Sequence, residues 1–283
     1  MLTRDINVAN LSVCPSVRPS VRYVPVSDQH LDKNELISES QHGFRKGYSC
    51  ASNLLVFLET VTAELNAKHN VDTIYLDLAK AFDKVPHQRL MLKLKAHGID
   101  GLVGNWIKSW LSDRWQRVCL DGSFSSWRRV WSGVPQGSVL GPVLFLIFIN
   151  DLDNAIFSNV LKFADDTKVY KVVDNQFDSV QLQSDLDSLG DWAVKWQMKF
   201  NVEKCKVVHY GKRSIDVEYN LYGQPLEEVV SEKDMGVVFS NDLRLGGNVR
   251  KLTVRPAKCW GSLTAEQYSL KILKFCFYYI SRL

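Results

Sequence analysis

The sequence has little that would mark it for export, a membrane or a structural metal. Its six cysteines (Cys14, Cys50, Cys119, Cys205, Cys259, Cys276) are scattered, with no C-x-x-C pair and no neighbouring histidine at zinc-ligand spacing. A disulfide scaffold and a zinc finger are therefore excluded, and reduced thiols in an intracellular protein are expected. The longest apolar run, Val139 to Ile149, is interrupted by Gly141 and Pro142 and falls far short of the ~20 residues that cross a bilayer. The Met1 end lacks the apolar stretch of a signal peptide, so no membrane or secretory role is expected. Neither sign of charge dominates: 35 basic against 31 acidic residues leave a net +4, and net charge alone does not imply a nucleic-acid partner. What is plentiful is apolar surface, 46% of 283 residues, enough for a sizeable core.

The stretch Ser12-Val13-Cys14-Pro15-Ser16-Val17-Arg18-Pro19-Ser20-Val21-Arg22 repeats a short unit, a composition that favours extended, poorly packed backbone. Residues 1–30 are expected to be a low-complexity, disordered segment, 31–242 a single domain, and 243–283 a divergent basic segment. Within the domain, apolar spacing predicts a helix from Leu54 to Leu65 and a buried strand from Val71 to Leu78 that carries Asp77 at its end. Helices are predicted after Pro86, closed by Gly98, and over Leu102 to Leu111. A hairpin is expected to turn near Asp121-Gly122, and an apolar helix to run from the Gly133–Ser138 loop to about Asp153. Strands at Val160–Phe163 and Lys168–Val172 would flank Asp165-Asp166, followed by a helix striped by Leu182, Leu186, Leu189, Ala193 and Trp196. Further strands are expected near Lys206–Tyr210, Glu218–Tyr222 and Met235–Phe239, giving a mixed α+β order.

Two acidic clusters carry the chemistry: Tyr75-Leu76-Asp77-Leu78-Ala79-Lys80-Ala81-Phe82-Asp83 and Phe163-Ala164-Asp165-Asp166-Thr167, with Gly133-Val134-Pro135-Gln136-Gly137-Ser138 between them. Each is apolar up to its carboxylate, so the acids fall at the ends of buried strands, where only a cation justifies them. In-line attack of a hydroxyl on a phosphoryl centre uses two divalent ions about 4 Å apart, and hard oxygen ligands suit magnesium. Asp77 and Asp165 are the expected holders, with Asp166 as a third carboxylate and the backbone carbonyl of Leu78 as an extra ligand. An isolated Asp-Asp pair is more often a solvated turn. It is the joint pattern that points to metal-dependent nucleotidyl transfer.

Taken together, these blocks resemble the palm of reverse transcriptases, above all those of non-long-terminal-repeat (LINE-like) retrotransposons, from about Leu31 to Asp242. The resemblance implies an α+β right-hand polymerase palm, an antiparallel sheet backed by helices, with partial fingers and little or no thumb. It implies RNA-directed DNA polymerisation with an RNA template, a DNA primer and dNTPs as partners, and two magnesium ions, or manganese, as cofactor. Asp77, Asp165 and Asp166 would hold the metals, and Phe82 would screen out the ribose 2′-hydroxyl. Gln136 and Gly137 would sit at the nascent base pair. Lys204, in Phe200-Asn201-Val202-Glu203-Lys204-Cys205, would protonate the departing pyrophosphate. In the block Gln41-His42-Gly43-Phe44-Arg45-Lys46-Gly47-Tyr48-Ser49, Arg45 and Lys46 would touch template or triphosphate oxygens. His42, His87 and His97 are expected to be structural. Protein partners stay open, and nuclear residence is an expectation from the family.

Basic residues add a weaker signal. Arg114, Arg117, Arg128 and Arg129 cluster with Trp115 and Trp127, and Arg244, Arg250, Lys251, Arg255 and Lys258 follow Asp242; both groups would suit phosphates, although a charge run is more often a solvated face. Ahead of Gln41 the fingers region of the family is largely replaced by the repetitive tract, and the residues after Gly247 do not resemble its helical thumb. A folded remnant that binds nucleic acid without catalysis is therefore the rival expectation. A structural protein in which the three acids coincide by chance is a more distant one.

Overall fold

Residues 30–31, 33–212 and 216–243 are described by the computed structural model; the proline-bearing N-terminal tract and the basic segment from 244 onward lie outside the described residues. The described residues form two compact units, one of those up to Ile37 with Lys80–Phe148, the other of Ser38–Ala79 with those from Ile149 to Leu243. In chain order the elements are helix α1 (Cys50–Asn66), strand β1 (Val71–Leu76), helices α2 (His87–Ala96), α3 (Gly101–Leu111) and α4 (Leu140–Ile149), strands β2 (Asn159–Phe163) and β3 (Asp166–Val172), and helix α5 (Gln176–Trp196). Later strands include β4 (Lys206–Tyr210), β5 (Glu227–Glu228), β6 (Ser231–Asp234) and β7 (Val237–Ser240), and a short antiparallel pair, Asn220–Leu221 with Gln224–Pro225, precedes β5.

In the first unit, α2 buries Leu90 and Leu94, and α3 buries Ile107 and Leu111. Helix α4 is apolar on every side and buried from Leu144 onward, as a helix enclosed by protein must be. Lys93, 4% exposed, donates Nζ to the carbonyl of Phe148 at 2.5 Å, placing a cation at the end of α4 where carbonyls lack helical partners. The expected hairpin forms, with Cys119–Leu120 opposite Ser123–Phe124 and Trp115–Gln116 opposite Arg128–Arg129.

The second unit is built on a five-stranded sheet of order β5-β4-β1-β3-β2, antiparallel except where β5 joins β4. Strand pleating splits the side chains between two faces. On one, Val71, Tyr170, Val208 and Tyr210 pack with Leu54, Phe57 and Val61 of α1 and with Phe239. On the other, Ile74, Val169 and Val207 are fully buried. Helix α5 is capped by Asn175, whose side chain accepts from Phe177 N and Asp178 N, and is ended by Gln197 in the left-handed conformation.

Several boundaries differ from the sequence expectation. The first strand ends at Leu76 rather than Leu78, the strand near Glu218–Tyr222 is Asn220–Leu221, and that near Met235–Phe239 is Val237–Ser240. Two helix ends differ for local reasons. Helix α1 starts four residues before Leu54 because Ser49 and Ser52 form a reciprocal capping box. The apolar helix stops at Ile149 rather than near Asp153 because the polar side chains that follow are engaged elsewhere. Asn150 Oδ1 accepts from Ser38 N at 2.8 Å, Asp151 from Trp192 Nε1 at 2.8 Å, and Asp153 from Lys162 Nζ at 2.5 Å.

Phe57 is wholly buried and meets Tyr170 and Phe239 edge to face, at centroid distances of 5.2 and 5.6 Å. Phe57→Ala should lower the free energy of unfolding by roughly 3–5 kcal/mol, while Val180→Ala on the exposed side of α5 should change it by less than about 0.5 kcal/mol. Urea denaturation of the two variants checks this; equal effects would mean that Phe57 is not central to the core.

Candidate active site

Beyond Leu76 the chain leaves the five-stranded ladder but keeps one neighbour. Ala79 N donates to Lys199 O and Asn201 N donates to Asp77 O, both at 2.8 Å, bracketing a bridge between Leu78 and Phe200. In an antiparallel pair of this kind the bracketed residue directs its own carbonyl away from its partner, so the Leu78 carbonyl faces away from Phe200. A single 3₁₀ turn, Val202–Lys204, follows at once and returns Lys204 Nζ to within 3.5 Å of Asp77 Oδ2.

On the other flank β2 and β3 are joined by Ala164 and Asp165, with Phe163 paired to Asp166. The loop is tight enough that Ala164 takes φ 55°, a conformation costing an alanine about 1 kcal/mol or more. The last pair of the β1–β3 register is Leu76 opposite Thr167, and one further step sets Asp77 across from Asp166. Asp77 and Asp166 line a cleft of about 380 Å³ together with Lys168, Lys204, Lys206 and Asp234. Asp165, half-buried beside them, does not contribute to its lining.

The acids feel one another. Burial, then the charge of Asp77, raises the Asp165 carboxyl above the usual carboxylate value, with Lys204 opposing. The Asp166 side chain reaches solvent through the cleft, but its carboxyl is flanked by protein on its other sides. That partial burial, followed by Asp165, Asp234 and Asp77, pushes it up to about 6. Among the described residues no three Asp, Glu, His or Cys side chains converge into a ready-made cation cage. The chemistry of the donors nonetheless fits a hard divalent ion: carboxylates on two adjacent strands, destabilised by mutual repulsion, with an ammonium already drawn to Asp77.

Two residues of the cleft escape a reading of the sequence. Lys168 and Asp234 form a buried ion pair joining β3 to β6, and the Lys168 ammonium also lies 4.7 Å from the centre of the Phe57 ring. A signal exists for Lys168, since residues two apart on a strand share a face and it follows Asp166 at that spacing. Asp234 has none, because only the tertiary fold brings β6 there.

The remaining expected site residues fall into separate groups. In the first unit, Phe82 stacks on Phe145 with centroids 4.4 Å apart, and its carbonyl accepts from Val134 N at 2.8 Å. The loop bearing Gln136 and Gly137 is thus tied to Phe82's own backbone, and both residues are exposed. Gly133 takes φ 87° where a Cβ would stand 2.7 Å from Asp83, so that approach requires glycine. Arg114 braces the same loop by donating to Gly133 O at 2.6 Å, while Arg117 stacks over Phe124 and Arg129 pairs with Asp113. In the second unit, Arg45 donates to the carbonyls of Ser38 and Gln41 at 2.8 and 3.2 Å and covers Tyr48; Lys46 is exposed. His42 bonds to Ser52 Oγ at 2.8 Å and is held neutral, its pKa lowered to about 4 by burial and then by Lys168 and Arg45. The Cys205 thiol, fully buried, is pushed up to about 11 mainly by burial.

The family model described as reverse transcriptase (RNA-dependent DNA polymerase) matches residues 21–268. The chain is 30% identical over 226 residues to the RNA-directed DNA polymerase from mobile element jockey of Drosophila funebris, covering 76% of this chain and 25% of that protein. It is 27% identical over 258 residues to the probable RNA-directed DNA polymerase from transposon X-element of Drosophila melanogaster, covering 87% and 28%. The chain therefore spans about a quarter of the length of the curated relatives it matches. Among solved structures, telomerase from Candida tropicalis in complex with a TWJ fragment of telomeric RNA superposes with a TM-score of 0.55 at 12% identity, covering 89% of this chain and 40% of that one, a likeness of fold alone.

The raised Asp166 carboxyl has a signed consequence. Its folded value of about 6 exceeds the unfolded value of about 3.9, so ionising it costs stability: the cost is full above pH 6, fades as pH falls, and is gone below about pH 4. In chelator-containing buffer at pH 7.5, Asp166→Asn should be more stable than the wild type by about 1 kcal/mol after solvent screening, and the advantage should vanish at pH 4. Urea melts at the two pH values test it, and a difference independent of pH would show that the carboxyl is not perturbed.

Proposed function

The chain belongs to the reverse transcriptase (RNA-dependent DNA polymerase) family, and we propose that it is the RNA-directed DNA polymerase domain of a LINE-like retrotransposon, extending a DNA primer on an RNA template with dNTPs. The observation that carries this reading is the meeting of Asp77 with Asp165-Asp166 at one end of adjacent antiparallel strands, on a cleft that Lys204 shares. We read the five-stranded sheet with α1 and α5 as the palm.

In this reading Asp77 and Asp165 hold divalent ions, assisted by Asp166 and the Leu78 carbonyl. Magnesium or manganese held there would supply the positive charge that favours ionisation of the primer 3′-hydroxyl and departure of the pyrophosphate. Lys204, largely exposed and held by Asp77, donates a proton to that pyrophosphate as it leaves. Phe82, braced by Phe145, screens out the ribose 2′-hydroxyl, and the exposed Gln136 and Gly137 contact the nascent pair. Lys46 offers its ammonium to template or triphosphate oxygens, and Arg45, already bonded to two carbonyls, acts there by shaping the turn.

Primer extension on an RNA template tests the proposal. The chain should incorporate dNTPs with magnesium or manganese, and Asp165→Asn should lose several kcal/mol of transition-state stabilisation, a hundredfold or more in rate. Folded protein that extends nothing with either metal would leave the non-catalytic remnant as the better description. A second outcome concerns the sugar: Phe82→Ala should lower discrimination against ribonucleotides by about tenfold or more. Unchanged discrimination would take that role away from Phe82.

A further inference from the structure

Gln41 is 1% exposed, and its amide is engaged by a single residue of the acidic hairpin and by its own turn. Oε1 accepts from Ala164 N at 2.9 Å and from Gly43 N at 2.7 Å, while Nε2 donates to Ala164 O at 3.2 Å. One side chain therefore pairs with both backbone groups of the residue that precedes Asp165-Asp166 and stands at φ 55°. The main chain delivers it there. Lys162 N donates to Ser40 O and His42 N donates to Lys162 O, both at 2.8 Å, so that residues 40–42 lie along the free edge of β2. Below them the buried Lys162 ammonium meets Asp153 at 2.5 Å, and Ser40 Oγ donates to the same carboxylate at 2.5 Å. Gly43 completes the approach, since a Cβ at that position would stand 2.3 Å from Ala164 N.

We propose that Gln41 is a positioning residue for the acid pair: its amide holds Ala164 in the left-handed conformation and so sets where Asp165 and Asp166 present their carboxylates to a divalent metal. A non-glycine residue keeps such a conformation only where its surroundings over-determine it, and Gln41 supplies bonds to both of its peptide groups from an element far away in the chain. The inference rests on the reading of these acids as a metal site. Groups that orient metal ligands from behind typically change metal affinity or activity by about 10–100-fold when lost.

Gln41→Met keeps the shape and removes the amide. Asn53→Leu is the control, because Asn53 is equally buried and donates to Lys162 O at 3.1 Å on β2, two residues before Ala164. Manganese affinity of the full chain, followed by electron paramagnetic resonance, should weaken about tenfold or more in Gln41→Met and stay within about twofold in Asn53→Leu. In primer extension Gln41→Met should lower kcat by a similar factor with the KM for dNTP changed less than about threefold. Equal manganese affinity in the two variants overturns the proposal, as does a wild type that binds no manganese. Weakened manganese binding by Gln41→Met in a chain that extends no primer supports the positioning role while removing the polymerase reading. Should Gln41→Met fail to fold, Gln41→Asn, which keeps an amide too short to reach Ala164, carries the same comparison.

Discussion

The antiparallel register of β1 against β3 is the constraint on which the site depends. With Leu76 opposite Thr167, the two acidic clusters close on each other at one end of the sheet. A slip of β1 by one residue would turn Asp77 to the opposite face and carry Ile74 out of the core with it. The register is held by burial on both faces: Phe57, Tyr170 and Tyr210 gather on one, and Ile74, Val169 and Val207 on the other. The apolar core and the acid pair are two consequences of the same alternation.

That arrangement sets stability against chemistry. Burial, and then the charge of the neighbouring acids, holds the Asp165 and Asp166 carboxyls above the usual carboxylate value. The protein offsets part of the cost with cations: Lys204 at Asp77 and Lys168 at Asp234. The second is buried and hydrogen-bonded, the condition under which an ion pair is hard to break and its partners hard to move. Lys168 also lies against the Phe57 ring, so one side chain links the aromatic core to the edge of the cleft. What charge the lysines leave uncompensated is what a divalent ion would neutralise.

The first unit shows the same economy of backbone. Phe82 is held from two sides, by the Phe145 ring and by Val134 N on its carbonyl. The loop carrying Gln136 is braced by Arg114 through Gly133 O, and Ser138 Oγ accepts from Gly141 N at 2.9 Å where α4 begins. Arg114, which the sequence offers either as a phosphate contact or as part of a solvated face, supports a loop in the fold.

Much of this was legible in the sequence, for identifiable reasons. Apolar stretches located β1, β2 and β3, and an apolar stripe at helical spacing located α5, because burial imposes its period on any chain that folds. The acids stood out because a carboxylate at the end of a buried strand needs a cation or hydrogen-bond donors to offset its desolvation. Ends of elements were less legible: the start of α1 depends on a hydroxyl pair and the end of α4 on side chains bonded to distant residues. Least legible were the partners of the site. That Asp234 pairs with Lys168, and that Gln41 holds both backbone groups of Ala164, depends on segments far apart in the chain meeting in space. By itself the sequence determined which residues are acidic, apolar and strand-forming, and from these the class of chemistry, because those are properties of each residue and its near neighbours. Only the tertiary structure decided which groups orient the acids, because a hydrogen bond between distant segments leaves no period, run or spacing in the chain.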